Sequence, residues 1–423
     1  MKEDLLQYVW SMARFMPKPM FTTGLQPIVI KNTGELNRFA GPDFKEAILS
    51  IGDKTWAGHV EVHILSSDWN RHKHQADKNY SNVILHVVYE HDEEIIYADG
   101  TKMPVLELKQ YINPAQLENY RTLMYNSLAI PCQNVIATVE PIVISNMVDR
   151  AMVERLERKS ELILNAVKTT NGDWNTVFYH SLAENFGFKA NGDNMLAVAQ
   201  SIELPILAKH KEDLLMLEAL FFGQAQLLKA DSKDSYEHDL SMQYQFLKHK
   251  YKLPAAKLIQ WKFVKTRPAN FPTVRLAQLA MLVHQSSHLF SKILECKKVT
   301  DILKLINLKN GSYWQTHFRF GLESKTLKNE KLGVSSQHLI VINTIVPFLF
   351  AYGKFTENQS MLDRALSMLE SLPAEKNRIV KAYQNIGFVT GTASDSQGVL
   401  GLNKYFCQHK RCLDCQIGKA IIL

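Results

Sequence analysis

Apolar residues recur at helical spacing over residues 3–15, where Leu5, Leu6, Val9, Met12 and Ala13 share a face, and Pro17 and Pro19 stop the helix. The texture then turns to β. Residues 27–31 (PIVIK) predict a short strand ended by Asn32-Thr33-Gly34, residues 44–51 a second, and residues 55–65 a third after the Gly52-Asp53 turn. Ser66-Ser67-Asp68 supplies N-cap chemistry for a polar helix through about Asn79. The near-continuous apolar run 83–89 (VILHVVY) has the pattern of a central strand buried on both faces. Residues 95–98 and 103–108 predict a hairpin turning at Asp99-Gly100.

From about Asn113 the periodicity becomes helical, over 142–168, 175–186, 211–229 and 236–250, then 274–296, around 337–350, and from 360 onward. Asn171-Gly172-Asp173, Asn191-Gly192-Asp193 and the stretch 267–272 predict loops between them. The fold class expected is α+β, an N-terminal mixed β-sheet in the order α-β-β-β-α-β followed by a large all-α region. The domain division expected is 1–112, a helical region 113–400 of one or two bundles, and a Cys-containing tail 401–423.

Candidate chemistry concentrates in the third strand. In Gly58-His59-Val60-Glu61-Val62-His63-Ile64 the side chains alternate, so His59, Glu61 and His63 oppose Val60, Val62 and Ile64. Asp43 opens the preceding strand, and a tight hairpin brings it beside Glu61. Two neighbouring carboxylates repel unless something positive sits between them, and a divalent metal serves that purpose. The next segment adds Trp69, His72, His74, Asp77 and Tyr80. Two other readings stay open: a sheet whose His and Glu residues hydrogen-bond each other on a solvated face, and a zinc site built from His59, Glu61, His63 and His72 or His74.

Pro42-Asp43, a hairpin, then Glu61-Val62-His63 resembles the PD-(D/E)XK nuclease superfamily, whose core has the same α-β-β-β-α-β order. The resemblance implies that Asp43 and Glu61 hold Mg²⁺ or Mn²⁺ and that the protein is a divalent-metal-dependent phosphodiesterase acting on DNA or RNA. His63 stands where that superfamily has lysine, and Lys45, two residues beyond Asp43, is a candidate for a relocated ammonium. Gln75 and Tyr80 echo a Gln and Tyr of recombination-type members, one residue further apart. The string GPDF…GHVEVH…SDWNRHKHQADKNYSNVILHVVY is also similar to a bacterial family without an assigned function. The alternatives are a non-catalytic nucleic-acid-binding module on a degenerate nuclease fold and a zinc-dependent hydrolase of a small substrate.

A second cluster lies near the chain end, where Cys407, Cys412 and Cys415 have the C-x4-C-x2-C spacing of thiolates that bind zinc or an iron–sulfur cluster. Cys132, Cys296 and His409 are candidates for a fourth ligand, and three ordinary reduced thiols are the other reading. Some superfamily nucleases carry such a trio plus one distant cysteine around an iron–sulfur cluster, with the distant cysteine before the nuclease core rather than, like Cys132, after it. Arg267 and Arg275 flank a proline-bearing turn before a helix, a place for a phosphate or for a buried interdomain turn. Trp314, His317 and Arg319 form a similar unspecific group.

Composition narrows the classes. Of 49 Lys+Arg and 42 Asp+Glu, residues 1–140 hold 13 and 17, leaving 36 and 25 for the rest, so a net charge of −4 is followed by +11. That contrast suits a metal-using segment beside one that attracts a polyanion, and equally an ordinary solvated surface. The five cysteines are odd in number and scattered, which argues against a disulfide framework. There is no signal-peptide pattern, Walker loop, Rossmann glycine pattern or G-x-S-x-G elbow, and no run of 18 apolar residues. These readings predict a cytoplasmic protein with no membrane association and nucleic acid as its partner.

Overall fold

In the computed structural model, which describes residues 2–13, 15–97, 99–254, 260–264, 266–286, 288–324 and 330–423, helix α1 (Glu3–Met12) ends where Ala13 turns left-handed at φ 47° and caps the Trp10 carbonyl. Leu5, Leu6 and Val9 of the expected stripe are buried together with Trp10, whereas Met12 and Ala13, at the helix end, are exposed. The chain then forms β1 (Met20–Phe21), β2 (Pro27–Asn32), β3 (Glu35–Leu36), β4 (Phe44–Ile51) and β5 (Lys54–Leu65). After a polar segment come β6 (Val83–Glu90) and β7 (Val105–Glu107). The sheet order is β1-β2-β4-β5-β6-β7, with β3 on β4; the pairs up to β4–β5 are antiparallel, and β5–β6 and β6–β7 are parallel. The mixed sheet followed by a helical region is the expected α+β class. Strand β6 has six consecutive buried residues, as its apolar run requires.

Two local expectations fail. The polar helix over 68–79 is instead one α-turn, α2 (Asp68–Arg71), then Lys73 at φ 62°, then two 3₁₀ turns, His74–Ala76 and Lys78–Tyr80, separated by Asp77. No apolar stripe favours a longer helix there, and the Ser67 hydroxyl donates to Asp92 (2.7 Å) instead of capping. Trp69 holds the segment down in a small core with Val83, Ile95 and Met103, against which Tyr80 packs. The expected hairpin after β6 shrinks to one antiparallel bridge, Ile96 with Lys102. Its second arm leaves to pair with β6, where the sheet edge satisfies its backbone.

The chain divides into two compact units, residues 1–147 with 402–423, and residues 148–401. Residues 113–147, expected in the helical region, and residues 402–423 of the Cys-containing tail therefore belong to the first unit. Ile417, Ile421 and Ile422 are buried, and the Asn119 amide donates to the Ile421 carbonyl (2.8 Å) from α3 (Pro114–Met124). The Lys410 ammonium caps the Met124 and Asn126 carbonyls (2.7 and 2.6 Å). Gly418 has no substitute, since a Cβ there would lie 2.2 Å from the Cys412 carbonyl oxygen.

The second unit is helical. Asn191-Gly192-Asp193, expected as a loop, lies inside the helix Phe188–Gln200 as a kink at Asn191 (φ −129°). The helix expected over 274–296 breaks into Pro272–Gln285 and Leu289–Glu295, with His288 left-handed at φ 52° between them. Residues Val334–Phe355 form one 22-residue helix whose mean hydropathy of 1.5 is high enough to cross a membrane by length and composition. It holds no run of 18 apolar residues, as expected, because polar residues interrupt it without lowering its average below that mark. Two thirds of that window is buried, and Ile340, Val341, Ile345, Val346 and Leu349 belong to the core.

A fully buried carboxyl lies against that core. Glu218 is fully buried; its Oε2 accepts from the Tyr236 hydroxyl (2.6 Å) and the Trp314 indole N–H (3.0 Å), and its Oε1 has no hydrogen-bond partner. Burial pushes its pKa up to about 7. A folded-state pKa above the unfolded one means that the stabilising contribution is complete below pH 4.5 and is lost as pH rises towards 7. The second unit should lose about 1.4 kcal/mol per pH unit over that window. Denaturant unfolding at pH 5, 6 and 7 reads the slope; the same slope in Glu218→Gln would remove Glu218 as its origin.

Candidate metal centre

Asp43 precedes β4, and Glu61 lies on the paired strand, where Phe44 faces Val60 and the register shifts between Phe44 and Ala47 around Glu46 at φ 60°. Such bulges re-aim side chains. The Asp43 amide donates to Glu61 Oε2 (3.0 Å), and the Val62 amide donates to Asp43 Oδ2 (3.1 Å). Each carboxylate is thus fixed by the other's strand. Burial raises both, Glu61 up to about 9 with the Asp43 charge beside it. Without a cation the pair retains a proton at neutral pH, because two desolvated carboxylates cannot both ionise.

Four imidazoles adjoin the pair. Glu61 Oε1 lies 3.5 Å from His63 Nε2 and 3.4 Å from His74 Nε2. His63 Nδ1 meets His86 Nε2 at 2.9 Å, and His72 Nδ1 meets His63 Nε2 at 3.2 Å. Ligand atoms of His63, His72 and His74 all lie within 4.8 Å of one another. Burial, reinforced by the neighbouring rings, pushes His63 down to about 2, His86 to about 3 and His74 to about 4. These three rings are neutral near pH 7, the form in which imidazole binds a metal. His63 therefore does not supply the positive charge of the lysine that the nuclease resemblance expects at its position.

The donor set fits a divalent cation. The ligand atoms of three imidazoles come together with Glu61 beside two of them, and His74 Nε2 is buried with no hydrogen-bond partner, an orphan that a metal bond would satisfy. Nitrogen donors favour Mn²⁺, Fe²⁺ or Zn²⁺ over Mg²⁺.

The remaining sequence candidates divide. Tyr80 stacks on His74 (3.9 Å between centroids), and its phenol is pushed up to about 12 by burial and then by Glu61, Asp43 and Asp77. Asp77 caps the turn Lys78–Tyr80 by accepting from the Asn79 amide (2.9 Å). His59 accepts from the Glu46 amide (3.4 Å) and stands outside the cluster. Lys45 is exposed, opposite Glu35 across the β3–β4 pair, with no hydrogen bond or ion pair to the carboxylates among the described residues.

Sequence reasoning passed over Glu3, Gln7, His86 and Arg71. The Gln7 side chain hydrogen-bonds Asp43, and the Glu3 carboxyl feels the Asp43 charge, so α1 contributes to the site. Both residues lie on the polar face of a helix read only for its apolar stripe. His86, the one polar residue in VILHVVY, was the signal for a buried imidazole. The Arg71 guanidinium, paired with Asp68, is a cation whose field reaches His63 and Glu3.

Four of the five cysteines lie in the first unit, but among the described residues the close group of metal-ligand atoms is His63, His72 and His74 and not the expected cysteine set. Cys132, Cys412 and Cys415 are buried. Burial raises the Cys132 thiol, and so do the neighbouring Cys407, Cys415 and Cys412; burial and then Cys415 push Cys412 up to about 12. Cys296 belongs to the second unit, where its carbonyl accepts from Arg364 (2.9 Å). The arginines part company: Arg267 is exposed, whereas Arg275 is buried, on Gln278, Asn270, Ser336 and the Phe188 ring. Trp314 and His317 are taken up by Glu218 and by stacking on Tyr313, and Arg319 lies over Phe263 and Phe271.

Residues 3–378 match the family described as Protein of unknown function (DUF2851). The chain belongs to that family. No curated protein and no solved structure matches it. The matched span takes in α1, the whole sheet and every residue of the carboxylate–imidazole cluster, and it ends before Cys407.

Proposed function

We propose that the chain is a divalent-metal-dependent phosphodiesterase acting on DNA or RNA, with its centre at Asp43, Glu61, His63, His72 and His74. The observation that carries this reading is the pairing of half-buried Asp43 with buried Glu61, with neutral imidazoles within 3.5 Å of Glu61. A bound divalent ion supplies Lewis acidity towards a phosphoryl oxygen and lowers the pKa of water. Asp43 and Glu61, their carboxylates fixed by crossed backbone hydrogen bonds, would hold that ion. His86 holds the ring plane of His63 through Nδ1, as an outer-shell partner does. Arg71, 66% exposed at its side chain, is the cation placed to meet a phosphate oxygen.

The imidazole trio favours a second reading, a zinc-dependent hydrolase of a small substrate. Labelled single- and double-stranded DNA and RNA, incubated with Mn²⁺, Mg²⁺ or Zn²⁺ in turn, separate the readings. Cleavage that Asp43→Asn removes supports the phosphodiesterase. Binding without cleavage under every ion favours the non-catalytic nucleic-acid-binding module. In a cleaving protein His63→Gln should cost roughly 10²-fold, the scale of one lost electrostatic contact; full activity in that variant removes His63 from the site.

A further inference from the structure

The second unit holds a cleft of about 1630 Å³, wider than the roughly 300–1,000 Å³ of a small-molecule site. Six Lys and Arg side chains line it against three carboxylates. Lys189, Lys262, Arg267, Lys376 and Arg378 are exposed in it, and among the described residues none is in an ion pair. One of the carboxylates, Glu375, is occupied by the Asn343 and Gln397 amides (3.0 and 2.9 Å).

The cleft is built, not incidental. At the kink in the helix Phe188–Gln200, the Asn191 side chain clamps the Lys262 backbone, accepting from its N–H (2.9 Å) and donating to its carbonyl (3.0 Å). Asn194 donates to the Gln260 carbonyl (2.9 Å), so the strip that bears Lys262 is fixed at the rim. Beneath the wall, Arg275 is 3% exposed, has no carboxylate partner and packs its guanidinium 4.5 Å from the Phe188 ring centroid. Its Nε is buried without a hydrogen-bond partner. A buried cation without a counter-charge is costly, and an anion lying along Phe188 would offset it.

We propose that this cleft binds the phosphodiester backbone of a single-stranded nucleic acid. Spaced, unpaired cations suit regularly spaced phosphates, and Phe188 offers a base a ring face. A recessed cleft admits a single strand, whereas a duplex meets only its rim. The inference is independent of the metal centre, and its test runs in EDTA so that failure of one leaves the other standing.

Fluorescence anisotropy of the full chain, with labelled DNA and RNA strands of about 16 nucleotides, reads binding at several salt concentrations. Lys262→Gln/Arg267→Gln/Lys376→Gln/Arg378→Gln should weaken binding at least about tenfold and flatten the log–log salt slope by roughly 0.7 per lost phosphate contact. Lys248→Gln/Lys292→Gln/Lys297→Gln/Lys298→Gln, the same charge change on exposed residues outside the cleft, should leave affinity within a few-fold. If the first variant fails to fold, Arg267→Gln/Arg378→Gln is read the same way. Preference for either DNA or RNA strands supports the proposal. Equal weakening in both sets, duplex bound as tightly as single strand, a mononucleotide bound as tightly as the oligonucleotide, or no saturable binding overturns it.

Discussion

Mn²⁺ binding at Asp43 and Glu61 should tighten about tenfold for each pH unit between 7 and 9 and then level off. Glu61 is held up to about 9 by burial and by the Asp43 charge, so an incoming ion must displace one proton, and affinity follows the fraction already ionised. Calorimetry at pH 7 in two buffers of different ionisation enthalpy should show about one proton released per ion. The metal-free first unit behaves in the opposite sense. A carboxyl raised from 4.5 to about 9 stabilises the fold while protonated and loses that contribution as pH climbs, so the ion should raise the thermal midpoint more at pH 8.5 than at pH 6. Glu61→Gln should abolish binding and the pH dependence together, and Asp43→Asn should cost activity about 10²–10³-fold. Affinity flat across this range, or binding intact in Glu61→Gln, would show that the carboxylate pair is not the ion's site.

Protein purified without oxygen should carry zinc or an iron–sulfur cluster on Cys132, Cys407, Cys412 and Cys415, and Cys412→Ser should lose both the metal and much of the first unit's stability. The thiol of Cys132 feels all three C-terminal cysteines, and burial raises the thiols of Cys132 and Cys412, so a cation is the natural partner for their deprotonated forms. Structural zinc contributes on the order of 10 kcal/mol of apparent binding free energy in small domains; the tail here also has its own packed residues, so partial unfolding is the expected outcome. Elemental analysis with a visible spectrum identifies the metal. A metal-free protein whose Cys412→Ser variant melts with the wild type would leave four ordinary thiols.

The strands and the main helices were legible because their periodicities are local. Strand β5 was expected at 55–65 and begins one residue earlier, and the 29-residue helix Pro141–Thr169 exceeds its expected span by one residue at each end. The alternation of β5 likewise put Glu61 and His63 on one face. The segment 68–80 was not legible as turns, because its conformation is set by Trp69 and Tyr80 reaching a core made of β6 and residues 95–103. His59 shows the limit of strand alternation: it shares the face of Glu61 in an ideal strand, yet the bulge at Glu46 gives its ring a backbone partner of its own.

By itself the sequence determined the class of the fold and the polar face of β5, since each depends on residues a few positions apart. Only the tertiary structure decided that His63 is a neutral ring instead of a substitute ammonium, because its pKa follows from burial and from His86, His74 and His72 arriving from other segments. It also decided that Cys132 meets a trio nearly three hundred residues on, and that Arg275 turns inward while Arg267 faces a cleft. Charge state and proximity are properties of what surrounds a group, and for these residues the surroundings are assembled from distant parts of the chain.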